Sequence, residues 1–146
     1  MIFTVKNLMY TEFPTAYGKI TVTEAAQVLT HHGRSFMVLV QDDHPLGVVT
    51  EQDFVRKVLA KGLDPDMTKI AEIMSHPLIT INPDADLSEA AELIKKTGIH
   101  KVVVVDENQK LLGVITARLL ARHFNDYVDK VTRDIIRHAS FAHFSL

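Results

Sequence analysis

The residues of this chain best suited to chemistry lie in Gly47-Val48-Val49-Thr50-Glu51-Gln52-Asp53, where a strand-like run gives way to a helix-like one. A threonine hydroxyl and, three residues on, an aspartate then fall in the first turn of a helix. Unpaired N–H groups and the positive end of the helix dipole attract anions there. A phosphate can rest on the amides and Thr50, leaving Asp53 to accept hydrogen bonds from a ribose diol. The same spacing also makes a capping box that needs no ligand. Both readings stay open on these seven residues.

Other chemistry is sparse. His31 and His32 are adjacent and point in different directions at a helix end, so they do not make a metal site. The histidines at 44, 76, 123, 138 and 143 show no ligand spacing either. The chain has no H-E-x-x-H, no P-loop and no G-x-G-x-x-G. No group of residues offers nucleophile, base and oxyanion donors together, so a stand-alone enzyme is disfavoured. With zero cysteines, disulfides, thiolate zinc sites and cysteine nucleophiles are excluded.

The elements that must position Thr50 and Asp53 occur twice. Residues 5–9 (Val-Lys-Asn-Leu-Met) recur in pattern as 70–74 (Ile-Ala-Glu-Ile-Met), 65 residues on. At the same offset Thr21-Val-Thr-Glu-Ala-Ala falls on Asp86-Leu-Ser-Glu-Ala-Ala, and each reads as a capping box opening a helix. Val22, Ala25, Ala26 and Leu29 match Leu87, Ala90, Ala91 and Ile94, the stripe of an amphipathic helix in both copies. Phe36–Val40 falls on Lys101–Val105, and such apolar runs predict strands buried on both faces. Turns follow at Asp42–Pro45 and Asp106–Gln109. Gly47-Val-Val-Thr50 then returns as Gly113-Val-Ile-Thr116. Each copy reads strand–helix–strand–strand–helix and is too short to bury its faces alone, so the two must pack together.

Lys61–Asp66 is a helix stop and linker, with Gly62 suited to a left-handed cap. This places one repeat at 1–64, a second at 65–125 and a tail at 126–146. From Leu119 to Ile136 the apolar set Leu120, Phe124, Tyr127, Val128, Val131, Ile135 predicts one long amphipathic helix. It fits a helix packed on a partner subunit, a connector to a downstream domain, or a latch on the core. The apolar end, Ser140–Leu146, hints at a fragment of a larger signalling or transcription-control protein.

Bulk properties bound the rest. Of 146 residues, 47% are hydrophobic and 23% charged, the balance of a globular chain. A formal charge of −2 argues against a dedicated nucleic-acid binder. No apolar run approaches the ~20 residues that span a bilayer. The first residues lack the layout of a signal peptide. A cytoplasmic protein without membrane insertion is expected.

Leu8-Met9 and Ile73-Met74, the two Glu-Ala-Ala helices, the valine strands and the two Gly-x-x-Thr segments together resemble a tandem pair of CBS domains over about residues 5–125. The resemblance implies an α+β fold: two pseudo-symmetric β-α-β-β-α units packed through their sheets, here with a C-terminal helical extension. It also implies a regulatory module, often a homodimer, that binds adenine nucleotides (AMP, ADP or ATP) between the units and controls an attached domain or partner protein.

The family's motif Gly-h-x-[Ser/Thr]-x-x-[Asp/Asn], with h apolar, is met in full by Gly47, Thr50 and Asp53. The resemblance puts the opposite wall of that cleft at Ile79, Pro83, Ile99, His100 and Lys101. Ile79 and Ile99 then sandwich a purine, Asp53 reads the ribose, and His100 with Lys101 meets phosphate. Ile99-His100-Lys101 is similar to the Ile-His-Arg that contacts phosphate in the γ subunit of AMP-activated protein kinase. A sulfonium at the 5′ side, as in S-adenosylmethionine, is disfavoured beside Lys101.

The second copy departs from the motif, because Leu119 stands where the ribose carboxylate belongs. A nucleotide there leaves its diol unpaired, at a cost of ~1–3 kcal/mol or more. One competent site, at Thr50 and Asp53, is therefore expected. The sister cleft, with Arg34, Ser35, Thr116 and Leu119, is expected to be empty or to hold a simple anion. The alternative function is a CBS-type dimerisation or protein-interaction module without physiological nucleotide binding.

Overall fold

The structure is a computed structural model that describes residues 3–75 and 77–145. His76, among the histidines weighed above, and the terminal Leu146 lie outside the described residues. In the first unit, strand β1 (Thr15–Ala16), helix α2 (Val22–His32), strands β2 (Phe36–Gln41) and β3 (His44–Thr50) and helix α3 (Glu51–Asp53) follow the short helix α1 (Val5–Leu8). The second unit repeats the order with β4 (Thr80–Ile81), α4 (Leu87–Thr97), β5 (Lys101–Val105), β6 (Leu111–Thr116) and α5 (Ala117–Ser145). Each unit holds a three-stranded sheet, β1-β2-β3 and β4-β5-β6, with its first pair parallel and its second antiparallel. The α+β architecture of two duplicated units is as the resemblance implies.

Strand periodicity explains how one run serves two cores. Met37, Leu39 and Val49 point into the first unit beneath Val22, Ala25 and Leu29 of α2. The alternate residues Phe36, Val38 and Val48 point the other way and meet Val103, Val105 and Val114 of the second sheet. The units are therefore joined sheet to sheet through side chains withdrawn from water, each burial contributing roughly 1.5–3 kcal/mol.

The repeats exchange their opening segments. Val5 and Lys6 donate their amides to the carbonyls of Ala85 (2.8 Å) and Pro83 (3.0 Å), and Val5 lies in the core of the second unit. The matching 3-10 turn, Ile70–Glu72, packs on the first unit, with Ile70 N–H donating to Ile20 C=O at 3.0 Å. Tyr10 then pairs with Val114 and Ser75 with Val48, each beside the last strand of the unit it has crossed to.

Those crossings explain both motif glycines. A Cβ on Gly47 would stand 2.7 Å from Met74 Sδ, and one on Gly113 only 2.6 Å from both Met9 Sδ and the Tyr10 carbonyl oxygen. The glycine of Gly-x-x-Thr is thus a close-approach position for the exchanged segment.

The helix boundaries follow their caps, with one correction. Thr21 and Glu24 form the expected capping box, Thr21 Oγ1 accepting from Glu24 N–H at 3.1 Å. Asp86 does not cap α4 with its side chain. The incoming N-terminal segment takes over instead: Leu87 N–H donates to Phe3 C=O at 3.2 Å, and Thr4 pairs with Asp86. Gly62 adopts the expected left-handed conformation, φ +66°. After Asp53 the first copy continues as a π-helical stretch, Phe54–Leu59, in which Ala60 N–H reaches Val55 C=O at 2.9 Å. The second copy continues from Thr116 as a single helix of 29 residues, longer at both ends than the 119–136 apolar pattern predicts.

Candidate functional site

Thr50 ends β3 with extended backbone (φ −121°, ψ 165°), and its side chain closes a capping box with Asp53. Asp53 Oδ2 accepts from Thr50 N–H (2.8 Å) and from Thr50 Oγ1 (3.2 Å), while Asp53 N–H donates to Thr50 Oγ1 (3.4 Å). The second carboxylate oxygen, Oδ1, pairs with Lys57 Nζ at 3.0 Å, and the same ammonium donates to Ile73 C=O at 2.9 Å. Asp53 is 7% exposed. Of about four lone-pair sites on a carboxylate, three are in use. The capping reading of this stretch is therefore realised, and the fourth acceptor site has no partner among the described residues.

The backbone donors at this helix start are largely committed as well. Glu51 N–H donates to Ser35 C=O at 3.0 Å, and its pseudo-symmetric counterpart Ala117 N–H donates to His100 C=O at 2.8 Å. Asp53 N–H is held by Thr50, as above. Attraction for an anion here must come from side chains rather than from the free amides that the sequence suggests.

Such side chains surround a cavity of about 680 Å³ between the two units, at the ends of β2 and β5 that carry Ser35–Phe36 and His100–Lys101. Its cationic lining is Arg34, Lys101, Arg118 and Arg122, and its one carboxylate is Glu51. Tyr10, Leu29 and Phe36 supply apolar surface. Arg34 stacks its guanidinium 5.0 Å over the Tyr10 ring, and Lys101 Nζ sits 5.8 Å from the centre of Phe36. Burial pulls the Lys101 ammonium below its usual range, and the Coulombic pull of Asp53 and Glu51 pushes it partly back. Among the described residues the ion pairs are Lys6–Asp84 and Lys57–Asp53, so none of these four cations is neutralised by a carboxylate within 4 Å.

This cavity brings together Arg34, Ser35, His100, Lys101 and Thr116 from the sequence-derived set. Thr50, Asp53, Ile79, Pro83, Ile99 and Leu119 are not among its lining residues. Ile79 packs at the margin of the second unit's core, and Leu119 lies within it at 8% exposure. Ile99 and Pro83 are half-buried, Ile99 N–H donating to Thr97 Oγ1 at 3.2 Å. Thr116 Oγ1 accepts from Leu119 N–H at 3.1 Å, a cap with half of the box missing. The open space is thus shared with the copy that lacks the ribose carboxylate.

Sequence reasoning missed Arg118 and Arg122. Their signal was present, two arginines four residues apart directly after the second Gly-x-x-Thr, a spacing that puts both on one helix face. A smaller hollow of about 290 Å³ lies by the hairpin turns at the far end of the strands, lined by Asp43, Asp106 and Lys110 among others, with no cationic excess. Among the described residues no group of three or more His, Asp or Glu side chains is placed to hold a metal ion. No helix described is long and apolar enough to cross a membrane.

Comparison with known proteins agrees with the duplicated fold. The family model described as CBS domain matches twice, at residues 5–60 and 70–126. Uncharacterized protein MK0525 of Methanopyrus kandleri is 39% identical over 97 residues, which cover 66% of this chain and 50% of that one. The CBS domain-containing protein YhcV of Bacillus subtilis is 30% identical over 117 residues, 80% of this chain and 82% of its own length. This chain therefore spans half of the Methanopyrus protein and most of the Bacillus one. Among solved structures, the CBS domain pair of protein MJ0100, in complex with 5′-methylthioadenosine and S-adenosyl-L-methionine, superposes with a TM-score of 0.77 at 28% identity, covering 87% of this chain and 99% of that one.

Proposed function

Because the chain belongs to the CBS-domain family, as a tandem pair, we propose that it is a non-catalytic regulatory module that senses an adenine nucleotide between its repeats. The observation that carries this reading is the cationic cleft, about 680 Å³ in volume, with a half-buried lysine and four cations set against a single carboxylate, Glu51, none of them in an ion pair within 4 Å among the described residues. Uncompensated cations in a concave, partly dry site are costly until an anion arrives. A phosphorylated ligand suits that cleft better than a sulfonium. The MJ0100 pair was solved with two adenosine compounds, which supports an adenosyl ligand in general.

In this reading Asp53 uses its one open acceptor site on the ribose, with Thr50 holding the carboxylate in place. Ile79, Pro83 and Ile99 flank the purine. His100 and Lys101 receive the phosphate, and the tail of the ligand runs toward Arg34. The occupied cleft then cross-links the two units, and the differential contact energy passes through α5 to a downstream domain or partner protein in the cytoplasm.

A thermal-shift panel with AMP, ADP, ATP, S-adenosylmethionine and NAD on wild type and Asp53→Ala tests this. Ligand that binds only the folded state raises Tm by mass action, so micromolar affinity is visible at millimolar ligand. A shift with an adenine nucleotide that disappears in Asp53→Ala is expected; no shift with any compound overturns the reading.

One observation favours a second reading, a dimerisation or interaction module. Phe124, Tyr127, Val128, Ile135 and Ile136 of α5 are all 41–63% exposed, a stripe of apolar surface that water alone does not explain. Here α5 would bind a second copy of the chain, and the cleft would be vestigial.

A further inference from the structure

The four cleft cations come from both units. Arg34 precedes β2 in the first unit, Lys101 opens β5 in the second, and Arg118 and Arg122 lie on the first two turns of α5. Both α5 arginines are exposed and reach the same cavity, as residues one helical turn apart should. The chain as a whole carries a net charge of −2, so this is a local concentration of positive charge and not a generally basic surface. A monophosphate brings about two negative charges, which Lys101 and a single partner can satisfy. The two guanidiniums of α5 would then share only Glu51 as an acid in the cavity lining. Guanidinium forks match phosphate oxygens in pairs, which makes Arg the residue for fixing a chain of phosphates rather than a single point of charge.

We infer that Arg118 and Arg122 are specificity-determining residues that read the phosphates beyond the first, so that the cleft takes nucleoside di- and triphosphates in preference to the monophosphate. This deepens the adenine-nucleotide reading and rests on it for the nucleoside half alone. It also names the regulated element. The two arginines sit at the start of a 29-residue helix, so a phosphate chain held between them and Arg34 ties the first unit to α5. A monophosphate satisfied by Lys101 and one partner leaves α5 seated by its own packing.

The test is calorimetric titration at low ionic strength with inorganic tripolyphosphate, AMP, ADP and ATP, on wild type, Arg118→Gln/Arg122→Gln and Asp53→Ala. Both arginines are exposed, so the double variant should fold with an unchanged Tm. Arg118→Lys/Arg122→Lys, which keeps charge but loses the forks, is a further control. Wild type is expected to bind tripolyphosphate and to prefer ATP over AMP. The double glutamine variant should lose about tenfold per arginine for tripolyphosphate and ATP, lose little for AMP, and so flatten the preference. The lysine variant should fall between, and Asp53→Ala should leave tripolyphosphate binding intact. Nucleotides that bind through Asp53 with AMP equal to or tighter than ATP overturn this inference and leave the nucleotide reading standing. Tripolyphosphate that binds through the arginines, with no nucleotide binding any tighter, overturns the nucleotide reading and leaves the arginine role standing. Failure of tripolyphosphate and ATP alike to respond to the double variant overturns the inference outright.

Discussion

Replacing Gly113 by alanine should unfold this protein more readily than the same change at Gly47, though the two glycines occupy equivalent places in the repeat. Neither has a positive φ, so an alanine backbone is acceptable at both. Relief of unfolded-state entropy by itself would make each change stabilising by ~0.4–1 kcal/mol. The opposing cost lies in what the new Cβ meets. At Gly47 the contacts are Met74 Sδ, Cγ and Cβ at 2.7, 3.1 and 3.3 Å, all on a side chain with three rotatable bonds. Displacing it to another rotamer costs ~0.5–1.5 kcal/mol, so the net change is within about 1 kcal/mol. At Gly113 one contact, the Tyr10 carbonyl oxygen at 2.6 Å, is backbone. That carbonyl accepts from Val114 N–H at 3.0 Å while Tyr10 N–H donates to Val114 C=O at 2.9 Å, so it cannot retreat without breaking the pair that docks the N-terminal segment. The upper end of the overpacking range, ~3 kcal/mol, applies, leaving a net loss of about 2–2.5 kcal/mol. For a chain of this size that is a fall in Tm of roughly 4–10 °C, against at most about 4 °C for Gly47→Ala. Thermal and urea denaturation of the two variants measures it. Equal losses, or a larger loss at Gly47, would refute the close-approach account. Unchanged stability with lost ligand binding would return the glycine to a role at the ligand.

Lys57→Met removes the partner of a 7%-exposed aspartate and the bond to Ile73 C=O. Because the lysine is about one-third exposed, the expected loss is about 1–2 kcal/mol, read by urea denaturation; no loss would show that solvent replaces both bonds freely. Lys101 has a folded-state pKa below its unfolded value of 10.5, chiefly through burial. Between those two values the unfolded chain binds more protons, so this residue's contribution to stability rises with pH there. Lys101→Met should therefore be more stable than wild type at neutral pH, with the gap closing as pH approaches 10.5. A gap that widens with pH reverses the sign and the argument. Finally, a chain truncated after Asn125 loses Tyr127, Val128, Ile135 and Ile136 from the apolar stripe. If α5 mediates self-association, light scattering should show a smaller species for the truncation, and an unchanged mass rejects that role.

The duplication was legible because it is written in local chemistry. A capping box at Thr21, a run of alternating inward and outward apolar residues at Phe36–Val40, and a Gly-x-x-Thr each fix an element without help from distant residues, and each recurs 65 or 66 residues on. The Asp86 cap failed for the complementary reason. Its helix start is completed by Phe3 and Thr4 from the far end of the chain, and no window around Asp86 contains them. The same exchange explains Leu8-Met9 and Ile73-Met74, whose repetition was visible but whose crossed destinations were not.

The cleft shows a sharper limit. The motif marks Thr50 and Asp53 because it registers a carboxylate, and a carboxylate at that position satisfies a cap and a lysine as readily as a ribose. What marks a site for an anion is a shortage of partners, and a shortage has no sequence pattern. Arg118 and Arg122 look like ordinary helix-surface arginines until the fold turns them onto a cavity with a single acid in its lining. Where the motif's aspartate is replaced by Leu119, the second unit's core holds an apolar residue at 8% exposure instead of a carboxylate. The departure removes the acceptor a ribose needs on that side, while the cavity's cations come from residues outside the motif positions, at Arg34, Lys101, Arg118 and Arg122.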